Sequence, residues 1–141
     1  MKLISALAAA ALIAAPVNAQ SNLRTVQCTD QSLIDQSVGT VSYTFDRKGR
    51  TYDYDRVTQS WVVAPANYED FGDRIEERSA IVGNVYRHQL TSVSISDPME
   101  VFESFTEIDL KKMTITTEVD APGTDFDSVE RGTCKLVETK A

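Results

Sequence analysis

Hydrophobic and polar residues alternate with a period of two along most of this chain. The segment from Glu107 to Val119 shows it best: Ile108 and Leu110 share one face before Lys111-Lys112, and Met113, Ile115, Thr117 and Val119 share one after it. Because successive strand residues point to opposite sides, this pattern predicts a hairpin. One face is dry, and the other carries Glu107, Asp109, Thr114, Thr116 and Glu118 into solvent. A carboxylate pair doing acid and base work would need one pKa raised by burial, and alternation puts Glu107 and Asp109 on the wet side.

The same reading extends upstream. Thr40 to Asp46 sets Val41, Tyr43 and Phe45 on one face, Arg47-Lys48-Gly49 is a compact turn, and Thr51 to Asp55 returns with Tyr52 and Tyr54 inward. Trp61 and Val63 continue that parity. The stretch from Ser79 to Ser96 supplies one or two strands, with Gly83 marking a bulge or a close approach between strands. Ala121-Pro122-Gly123-Thr124 fits a type II turn leading into a strand through Phe126, Val129, Cys134 and Leu136. Two short helices are expected, over Asp30 to Ser37 behind an aspartate cap and over Asn67 to Glu77. About seven to nine short strands predict an all-β fold, a small antiparallel barrel or sandwich, with a barrel-like meander preferred.

Met1 to Ala19 departs from this pattern. One positive charge at Lys2, an apolar run from Leu3 to Ala15, Pro16, and small residues before Gln20 form the anatomy of a secretory signal peptide. The run is too short for the usual ~20-residue membrane span, and no cysteine sits at the cleavage point for lipid attachment. The expected organisation is a signal peptide over 1–19 and one β domain over 20–141, in a bacterial periplasm or secreted. Loss of Lys2 with the leader takes the formal net charge from −7 to −8. So acidic a surface argues against nucleic acid and anionic lipid and favours a basic partner. Membrane insertion is not expected, and the domain is expected to be a monomer.

In an oxidising compartment the only two cysteines, Cys28 and Cys134, are expected to form a disulfide. A bridge requires Cα atoms within ~7 Å, so it predicts that the first and last strands lie together.

Candidate chemistry is sparse. His88 is the only histidine, there is no G-x-S-x-G elbow, and a lone strand histidine reads as a surface or packing residue. One histidine and two paired cysteines cannot supply a zinc site. Acidic clusters occur at Asp53 and Asp55, at Glu69, Asp70 and Asp73, and at Asp120, Asp125 and Asp127. None has the EF-hand spacing, and Asp125 with Asp127 is the best calcium candidate. No two glycines have a phosphate-loop spacing, so no cofactor is expected. The exposed aromatics Tyr54, Trp61, Tyr68 and Phe71 are the candidate ligand contacts.

The stretch from Phe105 to Cys134, with its "I-D" strand, hairpin and final Gly132-Thr133-Cys134, resembles a class of uncharacterised small secreted bacterial β-proteins with a C-terminal G-x-C strand. The chain also looks somewhat like the small periplasmic barrels that inhibit lysozyme, which are exported, acidic and disulfide-tied. It lacks their Ser-Gly-x-x-Tyr loop, and Gly49-Arg50-Thr51-Tyr52 is the nearest approach. The reading is therefore a non-catalytic binding or accessory domain for an unknown protein or small ligand. The alternatives are a carboxylate-based hydrolase of an envelope polymer and a periplasmic inhibitor of the lysozyme type.

Overall fold

The computed structural model describes residues 22–32, 38–121 and 127–140. The expected signal peptide over 1–19, the expected turn at Pro122-Gly123, Asp125 and Phe126 lie outside these residues. Ten strands are present among the described residues: β1 (Arg24–Ser32), β2 (Val38–Phe45), β3 (Tyr52–Asp55), β4 (Ser60–Val63), β5 (Asn67–Asp70), β6 (Asp73–Val82), β7 (Val85–Ser94), β8 (Val101–Asp109), β9 (Thr114–Asp120) and β10 (Asp127–Val137). Eight of them form one antiparallel sheet in the order β2-β1-β10-β9-β8-β7-β6-β5, and β3 with β4 makes a separate hairpin. The large sheet curls into a half-barrel.

Strand β1 lies between β2 and β10, and Cys28 stands directly opposite Cys134. The Cys134 amide donates to the Met113 carbonyl on the β9 side. Toward β1, Cys134 is therefore in a non-hydrogen-bonded pair, the kind that brings Cα atoms closest. Here they are 4.0 Å apart, and the disulfide joins them. The hairpin predicted from Glu107 to Val119 is present, with Ile108 opposite Ile115 and Thr106 opposite Thr117.

The core fills the concave side at one end. Val26, Cys28, Phe45, Tyr86, Ile108 and Ile115 are buried together, with Tyr43, Ile81, Leu110 and Met113 packed against them. Removing a large apolar side chain of this kind from water is worth ~1.5–3 kcal/mol. Closure at that end depends on the turn after β2. Asp46 accepts from the amides of Lys48 and Arg50 and from Arg50 Nε, which folds the chain back until the Ile81 amide donates to the Lys48 carbonyl. Gly49 is buried at this crossing with φ 87°, and a Cβ would overlap the Ala80 and Ile81 backbone. The crossing thus links the β2 edge to β6 across the mouth of the half-barrel.

Of the two expected helices, the one over Asp30 to Ser37 lies mostly outside the described residues, with only its first three residues described, in β1, and the one over Asn67 to Glu77 does not form. Asp30 belongs to β1 and pairs on both sides, with Gly39 and Gly132. Asn67 to Glu77 is a hairpin: Asp70 faces Asp73 across a turn whose two central residues, Phe71 and Gly72, both have positive φ. That is the type I′ geometry favoured between twisted strands, and it outweighs the helix-forming acids around it. Gly83 marks neither a bulge nor a close approach. With φ 62° and open space where a Cβ would stand, it begins the two-residue turn between β6 and β7.

Candidate functional site

Above the apolar plug, the concave wall becomes polar. Inward parity on β6 runs Ile75, Glu77, Ser79, Ile81, and on β7 it runs Tyr86, His88, Leu90. Charged and hydroxyl groups thereby stand on the dry face, which the strands cannot avoid once Tyr86 is buried and Ile81 packs against the core. Tyr43 on β2 closes over them, its ring centroid 5.7 Å from that of His88 and 5.6 Å from that of Tyr86. On β8 and β9 the buried hydroxyls of Thr106 and Thr117 satisfy each other at 3.1 Å.

His88 and Glu77 are the charged centre of this belt. His88 Nε2 lies 3.8 Å from Glu77 Oε2, and the two side chains are 12% and 18% exposed. Burial pushes the His88 pKa below its ordinary value, and the charges of Glu77 and Asp53 oppose that only partly. Tyr68 on β5 donates its hydroxyl to Glu77 Oε1 at 2.9 Å. Burial, the hydrogen bond and the Glu77 charge push Tyr68 up to about 12. Burial also raises Tyr43, helped by the charges of Asp30, Glu130 and Glu77 and opposed by a hydrogen bond with Thr106.

Beside this pair lies a recess of about 310 Å³ between the β6–β7 wall and the segments flanking the β3–β4 hairpin. Arg50, Thr51, Ala64, Glu77, Arg78, Ser79 and His88 line it, and the two arginines are paired with carboxylates of their own, Arg50 with Asp46 and Arg78 with Glu76. Thr51 fixes its floor: Oγ1 donates to Ser79 Oγ at 2.8 Å and lies 2.6 Å from the Tyr86 hydroxyl. On the hairpin, Asp53 has its pKa raised by burial and by the Glu77 charge, with His88 acting the other way. Two carboxylates thus approach one half-buried imidazole. Among the described residues the only ion pair of Glu77 is with His88.

The candidate aromatics are divided. Tyr54 and Trp61 are direct cross-strand partners with rings edge-on at 5.2 Å. Tyr68 belongs to the Glu77 network instead, and Phe71 is fully exposed at its turn. Asp127 begins β10 opposite Asp120. No group of three or more His, Cys, Asp or Glu residues able to hold a metal ion occurs among the described residues. Gly49-Arg50-Thr51-Tyr52 is built into the closure of the barrel and the edge of the recess.

The chain matches no protein-family model, no curated protein and no solved structure.

Residue type alone does not single out Glu77, Ser79 or Tyr43, and it assigns His88 a surface or packing role. Packing describes it in part, since it lies against Tyr43. A signal was present: Glu77 and Ser79 sit at apolar parity between Ile75 and Ile81, and polar residues on a dry face need a reason.

Proposed function

We propose that the protein is an exported, non-catalytic binding domain that receives a small organic cation in the recess beside Glu77 and His88. One observation carries this reading: Glu77 is a half-buried carboxylate whose ion-pair partner is an imidazole that burial drives toward neutrality. A partly desolvated negative charge without a strong counterion is costly, and an ammonium in the recess offsets that cost. Tyr43 lies against His88 and Tyr68 donates its hydroxyl to Glu77, so aromatic rings adjoin the pair without lining the recess itself. Export is supported by the leader over 1–19 and by the Cys28–Cys134 bond, which belongs to an oxidising compartment. No helix among the described residues is long and apolar enough to cross a membrane.

Calorimetric titration of the protein with primary and quaternary amines, and with carboxylates of matching size, tests it. Amines are expected to bind, more weakly at higher ionic strength, and Glu77→Gln is expected to cost at least about tenfold in affinity, or ~1.4 kcal/mol. Binding of carboxylates in preference to amines, or unchanged amine affinity in Glu77→Gln, rejects the reading.

The raised pKa of Asp53 next to Glu77 favours a second reading, a carboxylate hydrolase with Asp53 as the acid. Turnover of an envelope polysaccharide that Asp53→Asn abolishes would establish it in place of the first.

A further inference from the structure

The outer surface of the hairpin holds a residue of its own chain. Lys140 is gripped at two points: its ammonium lies 4.2 Å from the Tyr54 ring centroid, and its carbonyl oxygen accepts a 2.7 Å hydrogen bond from Trp61 Nε1. The segment after β10 reaches this position across the outer face of β1 and β2. Thr25 and Thr44 are on the side opposite Val26 and Phe45, yet both are buried. Their hydroxyls lie 2.8 Å apart, and Thr139 Oγ1 is 3.0 Å from Thr25 Oγ1.

The two contacts read different parts of one residue. An aromatic face attracts any cation, but an indole donor on the adjoining carbonyl recognises a peptide main chain. Together they select a lysyl residue within an extended segment. Lys140 itself is exposed and outside the core, so the grip adds recognition at a place where packing does not demand it.

We propose that Tyr54 and Trp61 form a lysyl-peptide site, filled in this conformation by Lys140, from which a lysine-bearing segment of a basic partner displaces it. The site is separate from the recess and stands whether or not the recess binds an amine. A net charge of −7 over the whole sequence steers a basic partner toward the surface. Because Lys140 follows a short tether from β10, it competes at an effective concentration on the order of millimolar. Weak ligands are therefore masked until it leaves.

Trp61 is the only tryptophan, so its emission reports this site alone. In Lys140→Ala the emission is expected to shift to the red. Titration of that variant with an N-acetylated peptide copying residues 135–141 should reverse the shift saturably, and the same peptide with alanine at the position of Lys140 should not. The unaltered protein should bind the lysyl peptide about tenfold more weakly than Lys140→Ala does, and Tyr54→Leu in the Lys140→Ala background should erase the preference for lysine. Identical Trp61 emission with and without Lys140 overturns the proposal, as does equal binding of the two peptides or absence of saturable binding to Lys140→Ala. A protein-concentration dependence of the Trp61 signal accompanied by dimer in sedimentation overturns the occupancy by the chain's own segment.

Discussion

Phe45 and Tyr86 stack with ring centroids 4.4 Å apart, although β2 and β7 are the first and sixth strands of the sheet. Contact at that distance requires the sheet to curl until its inner face meets itself. The stack is therefore the contact that converts eight paired strands into a half-barrel with a filled end. Phe45→Ala is expected to cost ~3–5 kcal/mol, as for other buried aromatic truncations. Phe105 points from the outer face and is 37% exposed, so Phe105→Ala should cost below about 1 kcal/mol. Chemical denaturation of the two variants measures both.

Gly49 and Gly132 are expected to resist substitution for a shared reason. A Cβ at Gly49 would overlap the backbone of Ala80 and Ile81, and one at Gly132 would overlap the Thr29 carbonyl and the Asp30 Cα. Backbone cannot step aside as a side chain can. Either glycine-to-alanine change should cost at least about 2 kcal/mol. At Gly72, where φ is 83° but the space is open, alanine should cost only the left-handed penalty of about 1–2 kcal/mol. Thermal melts of the three variants should rank in that order.

The bond between Cys28 and Cys134 spans a sequence separation of 106 residues. Its loss in Cys28→Ser/Cys134→Ser should lower stability by ~2–4 kcal/mol while far-UV dichroism keeps its strand signature, because the core at the filled end is intact. Thiol titration of the folded protein should find no free cysteine.

Stability should fall as pH is lowered through the histidine range. His88 has a folded pKa below its ordinary 6.5, chiefly through burial among Tyr43, Glu77 and Asp53. Between 6.5 and the folded value the unfolded chain binds the extra proton, so the derivative of stability with pH is positive there. The His88 contribution is thus fully present above pH 6.5 and declines below it. His88→Gln should flatten the dependence in this window. At lower pH a second loss should follow from Asp46. Burial raises its carboxyl, but the Arg50 side chain and the Arg50 and Lys48 amides outweigh that and hold it below 3.8. Its contribution is present above 3.8 and is lost as pH drops through the folded value. Melting temperatures of the parent and His88→Gln across pH 3–8 check both signs.

What the sequence determined by itself was local or arithmetical. Alternation from Glu107 to Val119 settled which residues face inward, and the turn at Lys111-Lys112 settled that Ile108 meets Ile115, because neighbouring strands joined by a short turn have little choice of register. A count of two cysteines was enough for the Cys28–Cys134 bond and hence for β1 beside β10. Tertiary structure decided the rest. Composition around Asn67 to Glu77 favours a helix, but positive φ at Phe71 and Gly72 and pairing along β6 made it a hairpin. The recess was also beyond reach, since Thr51 and Ala64 flank a hairpin outside the large sheet while Glu77 and His88 stand on β6 and β7, and their meeting depends on the curl of the chain. A period of two encodes the face of each side chain, and only the curvature of the sheet decides which faces look at one another.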